Sequence, residues 1–591
     1  MNPVELCYVL LHALNNNVKS LSFFSFHLVL YSDMKKLFSL TNLWILVVCV
    51  TLTGLFLPPL MGNDAPEYAT IALRMHRDHD YVNIINRDYD YLDKPHILFW
   101  SASLGYKIFG VHDWSYRLIS VLVCFAGALA TFRLGNLLYN KTVGHIAALM
   151  FISAQAIILG NHDVRTDALL TGLVIIAIGQ FVEYIERKKL ISMLIAAAAL
   201  GLAVGTKGMI AVLVTGCCLF FYLLSQRKWD ELLDWKWLAG LGIFLLGLGP
   251  VLYCYYLQFD LHPEKFVNSA YGTSGVKFLL WTQSFERLAA THERGAVNPE
   301  FLFLHHNFLW SFLPWTLLAL AACFERIKDF FVTGYRALFT REQLTFLGPL
   351  VMFIIMSFSK FKLPHYMNVL FPMIAIATAA FLFNCIRSGS FFWRRYCIIS
   401  QDIILVLIIA AALLLNVWAF SFEHWTLAAI ASIFFVLILF SLRYGKRKLL
   451  QKFWVPSLIA ILGFNFLMHT NIYPQVGQYQ AGSSLAVKSK EAGINYQKVY
   501  TFNYIFRSFD FYSGVITPQI GLQEIQKKIQ DGGQFYLLVN ERGRTDLLKS
   551  NIGFRERFKT PDIPITRLKL KFLNPETREE TLKYAYLLEF N

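Results

Sequence analysis

Apolar residues in this chain fall into long unbroken runs separated by short polar segments, from about residue 42 to about residue 470. A run of roughly 20 apolar residues is what an α-helix needs to cross a bilayer, where no water is present to satisfy backbone groups. Such runs lie at about 42–60, 117–137, 142–160, 168–185, 190–204, 209–225, 238–257, 304–323, 344–358, 367–386, 398–420, 425–442 and 454–470. They predict roughly thirteen crossings. From about residue 473 the pattern changes: β-rich runs at 499–502 and 534–539 alternate with helix-like stretches such as 522–530, which predicts a small α/β domain. The expected architecture is an α-helical polytopic membrane protein, divided into an N-terminal extension at 1–33, a transmembrane catalytic domain at 34–472 and an extracytoplasmic α/β domain at 473–591.

Composition agrees: 56% hydrophobic, 16% aromatic and only 16% charged residues exclude a soluble globular enzyme or a disordered chain. The net charge of +15 does not point to nucleic acid, because Lys and Arg mostly sit between apolar runs. Numbering the runs alternately puts Lys35 and Lys36, Lys141, Arg187-Lys188-Lys189, Arg227-Lys228, Arg326 with Lys328, Arg394-Arg395 and the basic residues from Arg443 to Lys448 on one side. The positive-inside rule makes that side cytoplasmic. The outer side receives the loops at 61–116 and 258–303, the turns at 161–167, Lys207 and 359–366, and the tail. Of nine cysteines, eight lie in or beside apolar segments, with no disulfide framework or zinc knuckle spelled out. Met34-Lys35-Lys36 introduces the first run, so residues 1–33 are expected to be dispensable, and the run lacks a small-residue cleavage site.

Every chemically suggestive segment is on the outer side. Asp64 and Glu67 open the first outer loop, followed by Tyr68. Carboxylates at an interface can accept a proton or bind a metal or sugar; the structural alternative is that Asp64 caps the helix starting near Pro66. Asp93-Lys94-Pro95-His96 precedes an aromatic amphipathic stretch at 97–109, which suits the interface plane and leaves Lys94 near headgroup phosphates; the alternative is a snorkelling charge. The turn with His162, Asp163, Arg165 and Asp167 packs opposite charges next to hydrocarbon, where charges are costly. Arg165 can neutralise either carboxylate or clamp a phosphate, and Asp167 can cap the next span.

Lys207, Lys360 and Lys362 interrupt apolar runs against the positive-inside bias, and outward lysines facing carboxylates suggest an anionic ligand, most simply a lipid-linked phosphate. His365 and Tyr366 follow. Gln283 to Arg287, with His292 and Glu293, add polar groups in the second long loop, but their spacing specifies no metal. No cofactor is fixed by these residues; a divalent metal stays open but is not indicated by ligand spacing. Phosphate-loop, nucleophile-elbow and H-E-x-x-H motifs are missing from the sequence.

Asp64 with Tyr68, Asp93-Lys94-Pro95, Arg165 with Asp167-Ala168-Leu169-Leu170, Thr206-Lys207-Gly208, and Lys362-Leu363-Pro364 with Tyr366, in that order, resemble one family. It is the bacterial integral-membrane glycosyltransferases of the GT-C fold, in the branch with protein O-mannosyltransferases and the lipid A aminoarabinose transferase. The resemblance runs from about residue 43 to the end. It implies inverting transfer of a sugar from a polyprenyl-phosphate carrier to an acceptor on the outer face, lipid being favoured over protein. It implies catalytic roles for Asp64 and Asp167 and places Lys94 on the donor phosphate, with Arg165, Lys207, Lys362 and Tyr366 beside it. Glu67, Tyr68, Asp93, Asp163, Gln283, Arg287, His292, Lys360 and His365 are the further substrate-binding candidates. The chain departs from the pattern at Ala65, where the family carries Glu, and at Glu67, where it often carries a basic residue. Two rivals are a transporter of polyprenyl-linked sugars and a scaffold whose tail binds a partner; charges gathered at one membrane face and no evident inverted repeat weigh against them.

Overall fold

The structure, a computed structural model, describes residues 38–286, 289, 297–340, 342–445, 449–565 and 568–590. The extension at 1–33, Lys35 and Lys36, Arg287, His292 and Glu293 lie outside the described residues. Every apolar run folds as helix. Among the described residues seven helices are long and apolar enough to cross a membrane: Asp113–Leu138, Thr166–Arg187, Leu190–Lys207, Lys236–Asp260, Pro364–Arg387, Phe391–Ala419 and Leu449–Gly477. The run at 142–160 is a pair, Lys141–Ile152 and Gln155–His162, bent by 54°. Leu40–Phe56, Ile210–Gln226, Leu347–Phe358 and Trp425–Leu439 are shorter apolar helices. The run at 304–323 divides into Phe303–Ser311 and Thr316–Thr333; Pro314 in the break supplies no backbone N–H to a continuing helix.

Small residues let the helices approach closely. A Cβ on Gly172 would lie 2.4 Å from the Val123 carbonyl oxygen, and one on Gly201 2.6 Å from that of Phe244, the small-residue contacts that bring membrane helices together where burial of apolar surface gives no drive.

Two amphipathic helices, Asp64–Asp78 and His96–Phe109, lie in the first long loop, joined by a short hairpin pairing Ile85–Asn86 with Tyr89–Asp90. The second outer loop starts from a π-helical end of its span, Tyr256–Asp260, and contains another such segment, Phe278–Glu286. Gln258 ties the loops together: its amide donates to Ile84 O and to Asp90 Oδ1, both at 2.9 Å, and its oxygen accepts from Ile84 N at 2.9 Å.

The tail is a four-stranded sheet in the order Val499–Phe502, Phe535–Asn540, Lys583–Phe590, Arg555–Asp562. The first pair is parallel and the others antiparallel. Its alternating side chains feed apolar clusters on both faces, one around Leu485, Val499, Leu538 and Leu587, the other around Ile525, Leu537, Val539 and Leu588.

Candidate active site

Helix Asp64–Asp78 begins at Asp64 itself, behind Asn63, whose side chain makes no capping bond. The capping reading of Asp64 therefore does not hold. Asp64 and Glu67 occupy the first turn, where negative charge complements the exposed N–H groups of the helix end. One Asp64 oxygen meets Arg165 Nη1 at 2.7 Å; the other has no partner among the described residues. Arg165 also holds Asp163 through Nη2 at 3.1 Å and Nε at 3.2 Å. Arg165 is the residue before helix Thr166–Arg187 and bridges two carboxylates from separate segments, rather than standing free for a phosphate.

Asp167 sits in the first turn of that helix and makes no cap. Its Oδ1 lies 2.5 Å from Lys207 Nζ and its Oδ2 3.7 Å from His365 Nε2. Lys207 is the last residue of Leu190–Lys207, which Gly208 terminates with a positive φ of 79°. The Lys207 ammonium also stands 4.6 Å from the centre of the Tyr366 ring, a cation–π distance. Lys94 pairs with Asp93 at 2.9 Å.

Lys94, Lys207, Gln283 and Tyr366 line one cavity of about 70 Å³, closed by Ser284, Ser359, Phe361 and the apolar Leu170, Ile210 and Met356. The room suits a phosphate-sized group, since one water needs roughly 10–15 Å³ on the same measure. Tyr68 is buried against the edge of Phe99, with Asp64, Glu67, Asp93 and Arg165 near enough to act on its phenol. Burial, with three carboxylates nearby, holds its phenol well above the ordinary range, so Tyr68 is a neutral hydrogen-bond donor. Glu67 accepts from the Asn86 amide and pairs with Arg507 Nε of the tail at 3.2 Å. Burial raises its carboxyl above the usual value, and Arg507 partly opposes that.

Not every candidate arrives here. Lys362 is fully buried, and its ammonium donates to the carbonyls of Ser357 at 2.7 Å, Glu300 at 2.9 Å and Pro299 at 3.2 Å. It is spent on holding the turn at 359–366, not on the cavity wall. Lys360 is exposed and outside the lining. Asp163 and Asp167 do not share a helical face, because Asp163 ends one helix and Asp167 belongs to the next. Sequence reasoning passed over Asn86 and Arg507, and it named Ser284 only as part of the polar segment from Gln283 to Arg287. Among the described residues no three His, Cys, Asp or Glu side chains gather as a metal site would require.

A family model described as dolichyl-phosphate-mannose-protein mannosyltransferase matches residues 93–254, the stretch that carries Lys94, Arg165, Asp167 and Lys207. The structure is similar to that of ArnT from Cupriavidus metallidurans bound to undecaprenyl phosphate, with a TM-score of 0.72 over 93% of this chain and 97% of that one, at 17% identity. The chain has the GT-C fold. The fold extends through the tail, as that coverage requires. Among curated proteins, an uncharacterized protein of Aquifex aeolicus is 28% identical over 53% of the chain and 58% of its own length. An undecaprenyl phosphate-alpha-4-amino-4-deoxy-L-arabinose arabinosyl transferase of Serratia proteamaculans is 22% identical over 72% of the chain and 76% of its own length. The chain spans only 54% to 60% of the length of most of the curated relatives it matches.

Proposed function

We propose that this GT-C chain is an inverting glycosyltransferase that moves a sugar from a polyprenyl-phosphate donor to a lipid A-like acceptor on the outer face of the bacterial inner membrane, without a cofactor. The observation that carries the reading is the cavity lined by Lys94 and Lys207, linked to Asp64 through Arg165, which pairs with Asp64 and stands two residues before Asp167, the partner of Lys207. An acceptor oxygen attacks the anomeric carbon, the bond from that carbon to the phosphate oxygen breaks, and the polyprenyl phosphate leaves with the electron pair. Lys94 and Lys207 stabilise the charge growing on the phosphate in a water-poor site. The free oxygen of Asp64 takes the acceptor proton when the acceptor is a hydroxyl, and only orients an acceptor that is already an anionic phosphate. Arg165 fixes the Asp64 carboxylate and Asp167 fixes Lys207, which makes both positioning partners of the groups that react.

The lipid choice is supported by the activity for which the Serratia relative is named and by the apolar side chains Leu104, Ile108 and Phe109 exposed on the helix His96–Phe109. In this reading residues 34–472 form the catalytic membrane domain, 473–591 an extracytoplasmic domain, and 1–33 a dispensable extension. Mass spectrometry of lipid and secreted-protein fractions from cells with and without the chain tests the proposal. A sugar-sized mass difference on lipid supports it; a difference confined to proteins overturns the acceptor and keeps the transferase. No difference in either fraction brings forward a transporter of the lipid-linked sugar.

A further inference from the structure

Two polar atoms on the cavity wall have no hydrogen-bond partner among the described residues: Gln283 Oε1 and Ser284 Oγ. Both residues are more than nine-tenths buried, at 6% and 8% exposure. Buried polar atoms in folded proteins are normally paired, so an unpaired atom on a cavity wall points to a ligand. The amide orientation of Gln283 is fixed by its other end, because Nε2 donates to Asp93 O at 3.0 Å. Flipping the amide would set two oxygens against each other. Its oxygen is therefore the atom left for the cavity, and that oxygen can only accept.

The surrounding backbone is shaped to bring these side chains close to Lys207. A Cβ on Gly208 would lie 2.8 Å from Gln283 Oε1 and 3.0 Å from Leu279 O, so only glycine permits the approach. The segment Phe278–Glu286 that carries both residues is π-helical, a winding that is uncommon and recurs at functional sites.

The other groups on the wall sort by chemistry. Lys94, Lys207 and the Ser284 hydroxyl can all donate to phosphate oxygens, which have lone pairs and, in a phosphodiester, no proton to give. Gln283 Oε1 does not match a phosphate; it requires a donor on the same ligand. A cavity of about 70 Å³ takes the phosphate and its immediate neighbour, not a whole sugar ring.

We propose that Gln283 and Ser284 form the sugar-proximal subsite for the donor. Ser284 donates to a phosphate oxygen, and Gln283 accepts from the hydroxyl on the ring carbon beside the anomeric carbon. This rests on the reading of the Lys94–Lys207 cavity as the donor-phosphate site, and it adds a determinant of which sugars are accepted: a donor lacking a hydrogen-bond donor at that ring position leaves Gln283 Oε1 buried and unpaired.

The test measures binding to the full chain in nanodiscs of three probes: undecaprenyl phosphate, undecaprenyl-phosphoryl arabinose and its 2-deoxy analogue. The native chain is expected to bind the hydroxylated donor about tenfold more tightly than the 2-deoxy donor, the size of one buried hydrogen bond. In Gln283→Met that preference should vanish, while Ser284→Ala should weaken all three probes about tenfold. No preference in the native chain overturns the proposal without depending on any variant. So does a preference that persists in Gln283→Met, an equal loss for all three probes in that variant, which would mean Gln283 acts only through the Asp93 carbonyl, or Ser284→Ala binding within twofold of native. Lys94→Ala is measured alongside. If it leaves undecaprenyl phosphate binding unchanged, the phosphate-site reading itself fails; if it weakens binding while the Gln283 and Ser284 variants do not, only the subsite falls.

Discussion

Asp64→Asn separates the chemical from the structural role of the first acidic residue. The Asp64 side chain is 41% exposed and makes one ion pair, at 2.7 Å, with Arg165. A pair so open to solvent contributes about 0–1 kcal/mol. Asparagine keeps an oxygen to accept from Arg165, which also retains Asp163, so the stability change should stay under about 1 kcal/mol. Loss of a general base should instead lower kcat by roughly 10²- to 10⁴-fold, about 3–5 kcal/mol of barrier. Asp167→Asn supplies the contrast, because its side chain is 7% exposed and lies 2.5 Å from Lys207. Breaking a buried pair costs about 3–5 kcal/mol and leaves Lys207 without its carboxylate. The assay is transfer of radiolabelled sugar from undecaprenyl phosphate to lipid A by purified protein in nanodiscs, with thermal unfolding of the same samples. Reduced kcat with native stability is expected for Asp64→Asn, and reduced stability with raised donor KM for Asp167→Asn. Full activity in Asp64→Asn would refute the base. Equal loss of stability in the two variants would refute the distinction between them.

Three further outcomes are expected. Lys362→Met should lower unfolding stability by about 3 kcal/mol, since the buried Ser357 carbonyl and the part-buried carbonyls of Pro299 and Glu300 lose a charged donor, yet raise donor KM much less than Lys94→Ala; the reverse order in KM would return Lys362 to the phosphate. Arg507→Ala removes the cation opposite Glu67 and should raise the acceptor KM severalfold without moving the donor KM; a shift in donor KM alone would sever the link to the acceptor edge. His96 is held down to about 4 by burial and bonds Val82 O through Nε2 at 2.8 Å. Below pH 6.5 the unfolded chain takes up a proton that the folded one refuses, so stability is flat above that pH and falls towards pH 4 by about 1.4 kcal/mol per unit. His96→Gln should flatten denaturation profiles over that window, and an unchanged slope would contradict the assignment.

Apolar run length located the helices because each crossing must satisfy its own backbone, a constraint written into local sequence. It did not reveal the 54° bend after Ile152, which depends on the packing of neighbouring segments. The ordered motifs located Asp64, Lys94, Asp167 and Lys207, since a charge beside hydrocarbon is retained only with a partner or a use. The same logic failed to tell a charge used on a ligand from one spent on the backbone. Lys362 satisfies every sequence criterion that Lys207 does, and only the three carbonyls around its ammonium separate them. Arg507 carried no signal, because its partner Glu67 is 440 residues earlier and nothing local marks either as a pair.

That long-range pair belongs to a larger contact that bears on the acceptor. Arg87 of the first-loop hairpin meets Asp510 and the Thr517 carbonyl of the tail, and Asp510 accepts in turn from Thr517 Oγ1 at 2.5 Å and Thr517 N at 3.0 Å. Tyr512 donates to Asp113 at 2.6 Å and accepts from Leu60 N at 2.9 Å, while Gln480 accepts from Gly62 N at 3.2 Å. Buried ion pairs add little net stability, but removing one partner is costly, so their best-attested use is to fix register. Here they fix the tail against both ends of the segment that carries Asp64 and Glu67. The cavity of the proposed donor site, by contrast, is lined by helices, the two long loops and the turn at 359–366, with no residue of the tail. In the proposed reading the molecule divides its recognition: the donor is held by residues outside the tail, and the edge at Glu67 receives its positive charge from Arg507 of the tail. Change in the tail can then alter the acceptor while the donor chemistry stays fixed.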